Sequence, residues 1–380
     1  MRCPSGKHTV FALMVAISLS GCSLLQDGFS QRQSPTTDAV VDPLSQPEAA
    51  AVVTHRYTLT STGQSVVGDV QLIVARDADT FSDIARTYGL GYDELVNANP
   101  GVDPWLPGEG TVLTLPTRFV LPDTPREGIV LNIAAKRLYW YPEPETGQAQ
   151  QVVTYPIGIG RVGWATPVGE AKVIAKAKDP AWYVPASVRK EHREAGDPLP
   201  AVVGPGPDNP LGRYVLKLDM PGYLLHGTNQ PYGVGMRVSH GCVRLYPEDI
   251  EALFQVAGLG TQVRILNDPV VAGWRDKQWY VSVYPRLEDD SRSSEEVLAD
   301  ALAMIRDRHW MLRDEDGEAW LGARAAGAEG IAYRWREGST DAEATLVHNV
   351  TAAPAEGPTR AEVTELLDEM MKEAEEGGTP

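Results

Sequence analysis

Cysteine is scarce in this chain, and its spacing argues against a metal site. The 380 residues contain three cysteines, Cys3, Cys22 and Cys242. No Cys-x-x-Cys or His-x-x-x-His pair occurs, so the usual sequence pattern of a structural zinc site is missing. A zinc site built from His226, His240 and Cys242 is an alternative that no such pair supports. We therefore predict neither a metal nor another cofactor.

Basic residues are also in short supply, which argues against nucleic acid as a partner. The formal net charge is −17, whereas proteins that bind nucleic acid present a basic face. The acidity is concentrated at one end, because residues 286–380 carry 23 acidic and 10 basic side chains. Such a segment is usually a solvated extension. The length of 380 residues and the 43% hydrophobic content allow two or three folded domains.

The chain begins with a pattern typical of a targeting segment. Arg2 and Lys7 precede an apolar run, residues 10–19, that is too short to span a bilayer as a helix. The sequence Leu-Ser-Gly-Cys at 19–22 resembles a bacterial lipoprotein cleavage site. This resemblance implies lipid attachment to Cys22 and a periplasmic protein anchored to a membrane, with the serine after Cys22 favouring the outer membrane. An ordinary signal peptide is the alternative.

Cys242 is then the only free thiol of the mature chain, and it ends a glycine-rich segment that starts at a histidine. His226 follows an apolar stretch, and Cys242 lies in Ser-His-Gly-Cys at 239–242. A thiol near its reference pKa of about 8.5 is mostly protonated at neutral pH, and a neighbouring imidazole can accept its proton. Gly241 lets the backbone approach closely, and its amide groups are candidates for an oxyanion hole. A small buried structural cysteine is the competing interpretation.

The same residues resemble the signature of the L,D-transpeptidases, the YkuD-type catalytic domain. In that signature a histidine, a variable gap and Ser/Thr-His-Gly-Cys are followed by an apolar residue and then Arg or Asn. The chain matches at His226-Gly227-Thr228 and at Ser239-His240-Gly241-Cys242-Val243-Arg244. Further segments that look like the same family, within a resemblance covering roughly residues 70–285, are 166–169, 180–185 and 209–212.

The resemblance implies a reaction on peptidoglycan stem peptides. Cys242 would attack the bond between diaminopimelate and the terminal D-alanine of a tetrapeptide, and the resulting thioester would pass its acyl group to an amine. His226 would act as base and then as acid, oriented by the carbonyl of Gly227, with His240 as the alternative base. Residues expected to support the cysteine loop or to bind stem carboxylates are Gly227, Ser239, His240, Gly241 and Arg244.

The sequence leaves the acyl acceptor open. The favoured acceptor is the lysine amine of an outer-membrane lipoprotein, because the spread of motifs most resembles that subgroup. A second diaminopimelate amine would give 3-3 cross-links, and water would make the protein an L,D-carboxypeptidase or a hydrolase. A non-catalytic wall-binding lipoprotein is an interpretation of a different class, against which the intact His226 and Cys242 argue.

Residues 56–117 predict a hairpin and then a small α/β module that resembles a LysM domain, a binder of peptidoglycan glycan. Residues 56–74 alternate as in a hairpin with its turn at Thr62-Gly63, and a second short helix is predicted over 92–97. The Gly-Asp that usually precedes the first helix of a LysM domain is replaced here by Ala78-Asp79. A module that only packs against its neighbour is the alternative.

From Gly128 onward, short strands punctuated by glycine and proline predict a mainly β catalytic domain, a sandwich or barrel. Pro247 predicts the start of one helix that braces the cysteine loop. Residues 187–213 predict a long irregular loop over the site. Two helices are expected in the acidic extension, over 294–312 and 359–376.

The predicted organisation has seven parts. They are a lipoprotein signal peptide (1–21), a disordered tether (22–55), the hairpin and LysM-like module (56–117), a linker (118–127), the catalytic domain (128–267), a C-terminal strand appendage (268–285) and an acidic, partly helical extension (286–380).

Overall fold

The computed structural model describes residues 52–308, 315–335 and 344–347. The predicted signal peptide, Cys22, almost all of the tether and the helix expected over 359–376 lie outside the described residues. Within them, no helix combines the length and the hydrophobicity that crossing a membrane requires. The helices, numbered in chain order, are α1 Phe81–Thr87, α2 Tyr92–Ala98, α3 Ala186–Glu194, α4 Pro247–Val256, α5 Ser294–Arg308 and α6 Glu315–Gly327, with a 3₁₀ turn at Pro231–Gly233.

The strands are also numbered in chain order. They are β1 His55–Thr58, β2 Val66–Val67, β3 Val70–Val74, β4 Val112–Leu115, β5 Phe119–Val120, β6 Gly128–Asn132, β7 Arg137–Tyr141, β8 Gln151–Pro156, β9 Ile159–Gly160, β10 Gly169–Lys178, β11 Trp182–Tyr183, β12 Val202–Val203, β13 Tyr214–Leu218, β14 Leu224–His226, β15 Arg237–Ser239, β16 Val243–Arg244, β17 Gln262–Leu266, β18 Val270–Arg275, β19 Gln278–Val283, β20 Tyr333–Arg334 and β21 Ala344–Leu346.

One mixed sheet forms the middle of the protein, in the order β1-β8-β7-β6-β17-β10-β13-β14-β16. Side chains alternate between its faces. On β6, Ile129 and Leu131 pack in the core that includes Ile250 and Leu253 of α4, whereas Val130 packs in the core that includes Phe81 of α1. Because both faces are covered, β6 is an almost continuous apolar run. The mainly β prediction is confirmed, but the sheet is an open half-barrel between two cores rather than a sandwich or closed barrel.

The hairpin predicted over 56–74 is wrong. Its three strands pair elsewhere: β1 with β8, β2 with β5, and β3 with β4. Alternation along a strand shows which side chains face inward but does not identify the partner strand. The predicted linker over 118–127 is also corrected at its start, since Phe119, Val120 and Leu121 are buried and β5 is paired.

Residues 70–115 form a strand–helix–helix–strand unit, called the N-terminal module below. Its strands β3 and β4 are antiparallel and flank α1 and α2 in the chain. Thr80 caps α1, because its hydroxyl accepts a hydrogen bond from the Asp83 N–H at 3.3 Å. The module is not free-standing, since Phe81 and Leu95 share a core with Tyr139 of the central sheet. The later strand β21 extends the module's sheet by pairing parallel with β3.

The strand pair predicted within 268–285 is present as β18 and β19, and β20 adds a third strand. The predicted boundary at 285/286 is wrong, however. Helices α5 and α6 pack on these strands, and Val281, Ile305 and Leu321 share one core. An amphipathic helix needs an apolar surface to cover its buried face, and the appendage supplies it.

Candidate active site

A parallel strand pair brings His226 and Cys242 to one place in the fold. Leu225 of β14 lies opposite Val243 of β16, and His226 lies opposite Arg244. Cys242 immediately precedes β16. Since paired residues in a parallel strand pair share a face, the side chains of Arg244 and His226 lie on the same side, and an extended backbone at Cys242, two residues before Arg244, would direct its side chain there too.

Hydroxyl groups and a glycine shape the turn that presents Cys242. Gly241 has φ +99°, a backbone conformation that other residues rarely adopt. The Ser239 hydroxyl donates to the Cys242 carbonyl at 2.5 Å, and the Thr166 hydroxyl donates to the Gly241 carbonyl at 2.9 Å. Within residues 52–308, the N–H groups of Gly241 and Cys242 have no backbone acceptor. These amides therefore stay available to a ligand.

His226 is held in one tautomer. Its ring is buried, with 4% of its surface exposed, and Nδ1 lies 2.6 Å from the carbonyl oxygen of Gly227. A carbonyl only accepts hydrogen bonds, so Nδ1 carries the proton and Nε2 is left with a free lone pair. Burial, followed by the charge of Arg244, lowers the pKa of His226 to about 3. The imidazole is neutral at pH 7 and is able to accept a proton.

Cys242 rests as a neutral thiol. Its side chain is half-buried, and Sγ lies 3.5 Å from the carbonyl oxygen of Gly222. Burial raises the pKa of the Cys242 thiol, while the N–H of Leu224 and the charge of Arg244 lower it less. The pair is therefore a neutral thiol and a neutral imidazole before any ligand binds, not a preformed ion pair.

Arg244 brings a positive charge close to His226 and Cys242. Burial lowers the pKa of Arg244, and its buried Nε atom has no hydrogen-bond partner within the part of the chain that the structure describes. Gly233 leaves room for the guanidinium, because a Cβ at that position would lie 2.9 Å from an Arg244 Nη atom. An unsatisfied buried donor is costly to a fold. Its cost would be relieved by an anionic group of a ligand.

His240 is engaged on the other side of the loop. Its Nε2 lies 3.3 Å from Glu191 and 3.1 Å from Arg161, and its ring meets the edge of Trp164 with centroids 4.9 Å apart. Burial and then the charge of Arg161 lower the pKa of His240. These contacts make it a less suitable base for Cys242 than His226.

The partner Glu191 lies on α3, so the irregular loop predicted over 187–213 needs correction. Residues Ala186–Glu194 are helical, and β12 pairs with β11. Proline- and glycine-rich composition concealed this helix. The segment contacts the Ser-His-Gly-Cys loop through Glu191 and His240, and its position over the site stays a prediction.

Three residues of the site were missed by sequence reasoning: Thr166, Arg161 and Glu191. Thr166 lies in the segment 166–169, which the family resemblance had already singled out, so a signal for it existed. Arg161 and Glu191 are 30 residues apart and form a salt bridge with each other. Nothing local in the sequence predicts such a pair.

The N-terminal module touches the segment between His226 and Cys242. The N–H of Tyr92, at the start of α2, donates to the Val234 carbonyl at 3.2 Å. Gly235, with φ +90°, lies so close to α2 that a Cβ there would be 2.3 Å from the Tyr92 nitrogen. Arg86 of α1 also binds both carboxylate oxygens of Glu248, at 2.9 and 3.0 Å. The module thus supports both the loop and helix α4.

Comparison with known proteins identifies the family. Residues 126–265 match the YkuD family, the L,D-transpeptidase catalytic domain. The protein named "Probable L,D-transpeptidase YbiS" from Escherichia coli (strain K12) is 44% identical over 235 residues, which are 61% of this chain and 75% of that protein. The protein named "Probable L,D-transpeptidase YcfS" from the same strain is 38% identical over 294 residues, 75% of this chain and 89% of that protein.

This chain belongs to the L,D-transpeptidase family, whose members act on peptidoglycan peptides. Among solved structures, the NMR structure of the catalytic domain of the Enterococcus faecium L,D-transpeptidase is 21% identical with a TM-score of 0.29, covering 38% of this chain and 100% of that one.

Proposed function

We propose that this protein is a peptidoglycan L,D-transpeptidase in which Cys242 is the nucleophile and His226 is the base. The observation that carries the proposal is the hydrogen bond between Nδ1 of His226 and the Gly227 carbonyl, 2.6 Å long. It leaves Nε2 as the proton acceptor, on the strand that pairs with β16, which Cys242 immediately precedes.

In the first half of the reaction, Sγ of Cys242 attacks the carbonyl carbon between diaminopimelate and D-alanine. Nε2 of His226 takes the thiol proton as the carbon–sulfur bond forms. The N–H groups of Gly241 and Cys242 stabilise the oxyanion. The amide bond then breaks, and the D-alanine nitrogen leaves as an amine after receiving the proton from His226.

In the second half, an acceptor amine replaces D-alanine. Its nitrogen attacks the thioester carbon and loses a proton to His226. The carbon–sulfur bond then breaks, and the leaving sulfur takes that proton from His226, which restores the thiol and the neutral imidazole. Arg244 contributes in two ways: its unsatisfied Nε suits a carboxylate of the stem peptide, and its charge lowers the pKa of Cys242.

The acceptor we favour is the lysine amine of an outer-membrane lipoprotein, with a second diaminopimelate amine and water as the competing acceptors. Lipid attachment at Cys22 would place the enzyme in the periplasm at the outer membrane, next to such an acceptor. The strand–helix–helix–strand topology of the N-terminal module supports its assignment as a LysM-like wall-binding unit. In this proposal the module holds the sacculus while it supports the catalytic loop.

The experiment incubates the purified protein with sacculi, with and without a candidate lipoprotein, and identifies the muropeptides by mass spectrometry. We expect release of D-alanine and a lipoprotein-linked tripeptide. A 3-3 cross-linked dimer or a free tripeptide would instead identify diaminopimelate or water as acceptor. Cys242→Ala should abolish all three products, whereas Cys22→Ser, the matched control, should retain transfer. Retained transfer in Cys242→Ala would refute the mechanism.

A further inference from the structure

A cavity of about 470 Å³ lies away from Cys242, between the turn at residues 62–65, the segment 121–126 and the strands β18 and β19. None of its lining residues belongs to the site described above. Its volume falls in the range of small-ligand sites, roughly 300–1,000 Å³. Its wall contains two tryptophans, Trp274 and Trp279.

The two tryptophans form an aromatic surface in this cavity. Trp274 and Trp279 lie opposite each other in the β18–β19 pair, with ring centroids 5.0 Å apart and an interplanar angle of 50°. Both side chains are half-buried and line the cavity. The flat C–H face of a pyranose ring packs well on an indole, which offers a large apolar face together with a polar edge.

Polar groups around the tryptophans are fixed before any ligand arrives. Arg126 donates to the carbonyls of Thr62 and Gln64, at 3.3 and 2.5 Å, and so holds the turn. The backbone N–H of Trp274 donates to the Ser65 hydroxyl at 2.8 Å. Thr124 also lines the cavity, and its buried hydroxyl has no hydrogen-bond partner among the described residues.

A second cavity of about 270 Å³ adjoins the first, since both are lined by Leu121, Asp123, Ala272 and Met304. The second cavity is also lined by Asp268, Asp300 and Arg292, and Arg292 already pairs with Asp290 at 2.8 Å. Because the carboxylates of the lining outnumber its one, already paired arginine, they disfavour an anionic ligand such as a phosphate polymer. Two adjoining cavities suit a chain of sugars better than a single sugar.

We infer that this groove binds a neutral chain of N-acetylhexosamines. The choice of wall glycan as its source rests on the proposed function. The groove would hold the glycan strand at a point separate from both the N-terminal module and the catalytic cysteine, and would thereby position the stem peptides of that strand.

The test titrates the full chain with chitotetraose, followed by tryptophan fluorescence and calorimetry. Because this probe carries no peptide, its binding does not depend on Cys242. We expect saturable binding, at least tenfold weaker in Trp274→Ala and in Gly63→Phe. Gly63 lies at an exposed turn where a Cβ meets no atom within 4 Å, so a phenylalanine there should fill the cavity without disturbing the core. Thermal melting checks the fold of both variants.

The controls separate the groove from other sites. Trp105→Ala alters the N-terminal module, which is itself proposed to hold wall glycan and whose Trp105 ring lies 6.0 Å from that of Tyr92. It measures the share of chitotetraose binding that belongs to the module, and binding at the groove should persist in this variant. Cellotetraose, which has no acetamido groups, should bind more weakly than chitotetraose. The inference is overturned by a wild-type protein that does not bind, by loss of binding only in Trp105→Ala, or by cellotetraose binding as well as chitotetraose.

Discussion

Alkylation of Cys242 by iodoacetamide should accelerate continuously as pH rises through neutrality. Only the thiolate reacts at an appreciable rate. Burial raises the pKa of the Cys242 thiol above its ordinary value, and the pKa of His226, about 3, is too low for an imidazolium to hold the thiolate at neutral pH. The thiolate is therefore the minor form over the whole range from pH 6 to pH 8.

The magnitude follows from this protonation state. Well below the pKa of a thiol, each pH unit multiplies the thiolate fraction by about ten, so the rate should rise roughly a hundredfold from pH 6 to pH 8. Replacing Arg244 with glutamine should slow alkylation at every pH in this range, because the charge of Arg244 lowers the pKa of the thiol.

The assay follows the peptide that contains Cys242 by mass spectrometry after timed exposure to iodoacetamide, which separates it from Cys3 and Cys22. The same peptide in the chain unfolded by guanidinium provides a thiol near the reference pKa of about 8.5. A rate that is already flat between pH 6 and pH 8 would refute the reasoning, because it would show a preformed thiolate–imidazolium pair.

Three further perturbations test the framework around the site. Glu94→Gln removes the carboxylate that binds the fully buried Arg137, so the free energy of unfolding should fall by about 3–5 kcal/mol. The melting temperature should then be lower by roughly 10 °C, and a shift below about 2 °C would contradict this expectation. Burial, and then the charge of Arg137, lowers the pKa of His55 to about 3 in the folded protein. The contribution of His55 to the free energy of unfolding is therefore complete above its unfolded pKa of about 6.5, and it is lost as pH falls because the unfolded chain binds the proton first. His55→Gln should therefore reduce the acid slope of urea-unfolding free energy by up to about 1.4 kcal/mol per pH unit, and equal slopes would count against this. Gly235→Ala should separate the catalytic loop from α2 and lower the rate of transfer at least tenfold, whereas Gly258→Ala, where a Cβ meets no atom within 4 Å, should not; equal rates would show that the contact is dispensable.

Local patterns predicted the parts of the fold that local interactions form. Pro247 begins α4, as the sequence indicated, and the acidic Glu248 and Asp249 in its first turn complement the helix N-terminus. The cap that Thr80 forms on α1 is a local interaction of the same kind. The His226 and Ser-His-Gly-Cys motifs were recognisable because the residue types and their order carry the chemistry.

Pairings between distant residues were not predictable in the same way. Strand β1 joins β8, which begins 96 residues after β1 does, and no local pattern chooses that partner over β3. The salt bridge between Arg86 and Glu248 spans 162 residues. The same limitation explains why the C-terminal extension seemed independent of the strands at 268–285, although α5 covers them.

The central claim is that the acyl group of the donor is carried on the sulfur of Cys242. The most direct measurement mixes the protein with a disaccharide tetrapeptide, quenches with acid within seconds and locates the modified peptide by mass spectrometry. The account predicts that the peptide containing Cys242 gains the mass of the donor minus D-alanine, with free D-alanine released in equal amount. An unmodified Cys242 during active turnover, or the acyl group on another residue, would contradict it.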